Sequence, residues 1–78
     1  MFVFPILPPG WVRVQSSNLS AVFYDAASSY LKIEFRGGRI YGYEQVPSAV
    51  HRSLMAAGSK GRYFHANIRN RYACRRLG

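Results

Sequence analysis

The chain is poor in acid. Three carboxylates, Asp25, Glu34 and Glu44, stand against eleven lysines and arginines in 78 residues, for a formal net charge of +8. After Glu44 no acid follows, only Arg52, Lys60, Arg62, Arg69, Arg71, Arg75 and Arg76. So few carboxylates do not suggest a paired-acid catalytic site, since acid–base chemistry usually draws on several polar groups converging in one pocket. Cysteine is nearly absent too: Cys74 alone cannot form an internal disulfide or a Cys-x-x-Cys metal site. His-Glu-x-x-His spacing is missing, and His51 and His65 fall on different expected helices. No metal and no cofactor are therefore expected. Long apolar runs are lacking as well. The start, Met1 to Pro9, is apolar but broken by prolines, too short to span a bilayer, and without a basic region or small-residue cleavage site. The expected location is the cytoplasm, with no membrane partner.

Internal repeats and domain boundaries are also missing, and the length suits one domain with a modest core. Residues 1–10 read as a Pro-rich apolar arm carrying Phe2, Phe4, Ile6 and Leu7, and residues 11–78 as the domain. Trp11 to Val14 suggests a short edge strand. Leu19 to Tyr24 reads as a strand closed by Asp25-Ala26-Ala27-Ser28-Ser29. Tyr30 to Arg36 alternates, with Leu31, Ile33 and Phe35 on one face and Lys32, Glu34 and Arg36 on the other. Gly37-Gly38 then supplies a hairpin turn, and Arg39 to Glu44 returns.

Beyond this the period changes. Pro47 suits a helix start, Val50, Leu54 and Ala57 form a narrow apolar stripe, and Gly58 suits the position after the last turn. Ser59 can cap a second helix, roughly Lys60 to Asn70, with Phe64 and Ile68 on one face and Arg62, His65 and Arg69 on the other. The tail from Tyr72 to Leu77 closes as a last strand or stays extended. Strands followed by helices predict an α+β fold: an antiparallel sheet of three to four strands with two helices packed on one face.

Three groups are candidate binding residues. Tyr41 and Tyr43 could stack unpaired bases if the hairpin turns them outward. A two-residue Gly37-Gly38 loop pairs Phe35 with Ile40 and places them beside Lys32 and Arg36. A three-residue loop with a bulge pairs Phe35 with Tyr41 and turns both tyrosines inward. The first register puts Gly42 and Glu44 on the apolar face, poor core material, which favours the second. Ser59-Lys60-Gly61-Arg62 is the next group, since a helix start with a lysine, a glycine and an arginine suits a phosphate. It lacks the spacing of a Walker loop. An ordinary capped turn whose glycine permits close packing explains it equally well. Last come Arg62, Arg69, Arg71, Arg75 and Arg76, interleaved with Tyr63 and Tyr72: a surface for a phosphate backbone, or a solvated helix face with a loose tail. No local acid can neutralise them, which favours the first.

From about Val14 onward the chain resembles the KTSC domain, a family named for its occurrence at the C-terminus of some lysyl-tRNA synthetases. The resemblance rests on Ser16-Ser17-Asn18, Val22-Phe23-Tyr24-Asp25, Leu31 to Phe35 and Gly38. It continues through Tyr41-Gly42-Tyr43, Val46-Pro47, Ser59-Lys60-Gly61, Phe64, Ile68-Arg69 and Tyr72. One departure is His65, where the family pattern leads us to expect asparagine. The resemblance implies an RNA-binding role and brings no catalytic activity. Charge and resemblance together predict a basic, non-enzymatic module whose partner is nucleic acid, RNA rather than DNA. The competing reading is an adaptor or phage-type inhibitor that docks on an acidic protein surface through its basic face and apolar arm. An enzyme built on Cys74 and a histidine comes third.

Overall fold

Seven short elements follow one another in the computed structural model, which describes residues 10–78. They are β1 (Trp11–Arg13), β2 (Leu19–Asp25), β3 (Tyr30–Phe35), β4 (Ile40–Tyr43), α1 (Ser48–Ala56), α2 (Lys60–Asn67) and β5 (Cys74–Arg76). All five strands form one antiparallel sheet in the order β1-β2-β3-β4-β5. The fold is α+β as expected, with a strand more than the three or four read from the pattern. The apolar arm, up to Pro9, lies outside the described residues. Among the described residues no helix is long and apolar enough to cross a membrane.

Alternation builds β3: Leu31, Ile33 and Phe35 are buried while Lys32 and Glu34 stay half-buried on the other side. In β2 the register shifts between Leu19 and Ala21, so that Leu19 faces Phe35 and Val22 faces Ile33. This bulge lets an odd-numbered and an even-numbered residue share the core face. The β2–β3 turn is held by Asp25, whose carboxylate accepts from the Ala27 N–H at 3.1 Å and the Ser28 hydroxyl at 2.8 Å.

The helices cover one face. Leu54 of α1, Phe64 of α2 and Ile68 just beyond it join Leu19, Val22, Leu31, Ile33, Phe35, Tyr43 and Val46 in the core. Each such side chain contributes roughly 1.5–3 kcal/mol on burial. Pro47 stands one position ahead of α1 as its cap, at φ −62 and ψ 149. Gly58 does not end α1 in the left-handed manner its type suggests. Ala57 leaves the helix extended, at φ −67 and ψ 139, and donates to the Leu54 carbonyl. Ser59 does cap α2, its hydroxyl accepting from the Arg62 N–H at 3.3 Å. α2 stops at Asn67, short of the expected Asn70, which itself takes φ +66. That left-handed residue redirects the chain into β5, tied down by Glu44 N–H to Ala73 C=O at 2.9 Å and Leu77 N–H to Ile40 C=O at 2.7 Å.

Candidate nucleic-acid interface

The hairpin decides where the tyrosines go. Phe35 donates to the Arg39 carbonyl at 2.8 Å and accepts from the Gly38 N–H at 2.9 Å, so the loop is Arg36-Gly37-Gly38. Both glycines are left-handed, at φ +100 and +94, a conformation that costs glycine little. Ile33 therefore faces Tyr41 and Leu31 faces Tyr43. This is neither register drawn from the sequence: Phe35 lies opposite Arg39, two residues from Tyr41. The parity is that of the inward reading, and both tyrosines lie on the helix side. Tyr43 is buried, while Tyr41 is half-buried. Burial, with Cys74 and Tyr41 adding to it, pushes the Tyr43 hydroxyl up to about 12.

On that side a cleft of about 400 Å³ opens between α2 and the β3–β4 hairpin. Its floor is a set of rings in edge contact. Phe64 meets Phe35 at 5.2 Å and Tyr43 at 5.7 Å between centroids, and Phe35 meets Tyr41 at 6.0 Å. Arg39 rises from the hairpin side and Arg69 from the end of α2, both exposed. Asn18 and Asn70 line it near the two ends of α2, and no carboxylate lines it. The cleft thus offers apolar ring surface beneath two guanidinium groups, a combination suited to an aromatic anion.

The residues singled out in the sequence separate into those at the cleft and those elsewhere. Tyr41, Tyr43 and Arg69 line it. Lys60, at the other end of α2, donates from Nζ to the Ala57 carbonyl at 3.1 Å, and Gly61 packs on Asn18. This is the geometry of a capped turn with close packing. Arg62 and Arg71 are exposed beside the helix. Arg75 faces Gly42 and Arg76 faces Tyr41, on opposite sides of edge strand β5. Arg76 also donates from Nε to the Gly78 carbonyl at 2.9 Å. Sequence reasoning missed Arg39 and Asn18. Arg39 carried a faint signal, as the base next to a double glycine and the aromatic strand.

The outer face of the sheet carries aromatics that the sequence did not single out. Trp11 faces Phe23, with ring centroids 5.7 Å apart, and Lys32 Nζ lies 4.9 Å from the Phe23 ring centre. The Tyr30 ring lies across Gly42, where a Cβ would overlap its hydroxyl. These rings are half-buried.

Cys74 and His65 do share the cleft's lining. The Arg69 guanidinium, however, stands 3.2 Å from His65 Nδ1. Arginine can only donate, so Nδ1 is the acceptor and the neutral ring carries its proton on Nε2. His51 lies elsewhere, stacked on Tyr24 at 4.4 Å, and burial followed by the nearby Arg52 charge holds its pKa below the usual value. Among the described residues no group of three potential metal ligands occurs.

Comparison with known proteins gives a consistent picture. The KTSC domain model matches residues 15–72. A protein of Stutzerimonas stutzeri is 43% identical over 54 residues, covering 69% of this chain and 76% of that protein. A lysine–tRNA ligase of Nostoc sp. is 35% identical over 77 residues, 99% of this chain but 13% of the ligase. The crystal structure of a KTSC domain protein from Yersinia pestis matches with a TM-score of 0.83 at 38% identity, over 87% of this chain and 96% of that one.

Proposed function

The chain belongs to the KTSC domain family, and we propose that it acts as a small nucleic-acid-binding module, with RNA as its ligand and no catalytic step of its own. The observation that carries this reading is the acid-free cleft, lined by Arg39 and Arg69 together with the rings of Phe35, Tyr41, Tyr43 and Phe64. Guanidinium groups suit phosphate oxygens, and the rings accept a base face whatever its identity. Arg62, Arg71, Arg75 and Arg76 are the further contacts along a strand, while Lys60 and Gly61 at the start of α2 are taken up by the chain's own Ala57 carbonyl and Asn18. RNA is preferred because related segments occur in lysine–tRNA ligases, whose name carries an RNA substrate.

The test is binding of a fluorescent single-stranded RNA across a salt series. Affinity should fall steeply with salt, log K dropping by roughly 0.7 per phosphate contact for each unit of log salt. Absence of binding at low ionic strength would sink the reading. So would a protein partner retained from lysate after nuclease treatment with no RNA bound beside it, which is the behaviour of an adaptor.

A further inference from the structure

We infer that the cleft is a pocket for a single unpaired nucleotide, an inference that rests on the nucleic-acid reading above. At about 400 Å³ the cleft lies toward the small end of the range for small-ligand sites, roughly 300–1,000 Å³. Eight-residue α2 gives its long wall a length of about 12 Å. That is room for one base, its sugar and a phosphate. Tyr41 and Phe35, 6.0 Å apart and near perpendicular, present ring surface that a flat base can contact. The phosphate falls to Arg39 and Arg69, the two guanidinium groups of the lining.

Asn18 and Asn70 add amides, each able to donate and accept, at the edge of the same space. The Asn18 backbone is fixed: its N–H donates to Ser16 Oγ at 3.1 Å, and its carbonyl accepts from the Arg36 N–H at 2.9 Å. The residue is thus anchored beside the cleft. A base within a duplex is stacked on both faces and paired along its edge, and cannot enter a recess of this kind. A base splayed from a single strand can.

The experiment is amide-resolved NMR of the full chain, titrated separately with adenosine 5′-monophosphate, inorganic phosphate and a short single-stranded RNA. The mononucleotide should shift Asn18, Arg39, Tyr41 and Asn70, and the RNA should displace it from the same site. Inorganic phosphate should move the Arg39 and Arg69 signals alone. Tyr41→Leu keeps apolar bulk without a ring, and its spectrum reports whether the fold is retained. It should weaken the mononucleotide by roughly 5- to 150-fold, the worth of one base stack. If the RNA binds with its salt dependence while the mononucleotide leaves the cleft signals untouched, the one-nucleotide pocket is overturned and the nucleic-acid reading stands. If neither binds, both fall.

Discussion

The two ends of α2 carry similar side chains and treat them differently. At its start Lys60 is turned back onto the Ala57 carbonyl, Ser59 caps the Arg62 N–H, and Gly61 lies against Asn18. There the fold's own backbone engages the polar groups. At the other end Arg69 meets the His65 ring and lines a cleft without a carboxylate. A basic residue near a helix start looks like an anion site on electrostatic grounds. The charge available to a ligand also depends on which carbonyls stand nearby, and Ala57 follows a helix that ends with extended backbone.

The largest expected effect breaks the comparison directly. Arg39→Glu combined with Arg69→Glu places two carboxylates at the cleft mouth. RNA affinity should fall at least tenfold and the salt slope should flatten by about 1.4, roughly 0.7 for each contact removed. Both side chains are exposed, so thermal stability should stay within about 0.5 kcal/mol of the parent. Lys60→Met is the counterpart. It should leave RNA affinity within about twofold and lower stability instead, since it removes the hydrogen bond to Ala57. Reversed outcomes for the two variants would move the interface to the start of α2.

A smaller effect concerns the cleft floor and is read with pH. The Tyr43 hydroxyl is pushed up to about 12, chiefly by burial. The folded protein thus holds this proton more tightly than the unfolded chain, whose tyrosines ionise near 10. Its contribution to stability should be constant below pH 10 and lost as pH rises from about 10 to 12. Tyrosinate absorbance should show one late-titrating ring, lost in Tyr43→Phe. A Tyr43 that ionises near the ordinary value of about 10 would mean that the floor is open to water and cannot hold a base against rings.

The sequence shows these differences unevenly, for physical reasons. Leu31, Ile33 and Phe35 announce a half-buried strand because a period of two survives any packing partner. Gly42 and Glu44 made poor core, so the parity of Tyr41 and Tyr43 was legible. The register was not, because two adjacent left-handed glycines allow several loops of different length. β5 was left open between a last strand and an extended tail, because Cys74, Arg75 and Arg76 are all exposed and alternate in nothing. They form a strand because Asn70 turns the chain and β4 has a free edge. Arg39 could not be joined to Arg69, since only the packing of α2 on the hairpin brings them to one cleft. Gly42, poor core material on the apolar face, instead lies beneath the Tyr30 ring on the other face.

The smallest effect bears on Gly61, where two explanations fitted the sequence equally. A Cβ built there meets Asn18 Cβ at 3.4 Å and Ser16 Oγ at 3.8 Å, which is ordinary contact. Gly61 lies within α2, and its φ is not among the positive ones. Alanine therefore fits both the space and the backbone, and it narrows the unfolded ensemble. Gly61→Ala should raise stability by about 0.4–1 kcal/mol in urea unfolding. RNA affinity should not change, because the contact made by Gly61 is with the chain's own Ser16–Asn18 loop. A phosphate seated on this turn would need the bare backbone to approach it, and the added methyl would then weaken RNA several-fold while stability still rose. Stability and affinity moving apart in that way would place a ligand at the start of α2 and remove the contrast between its two ends.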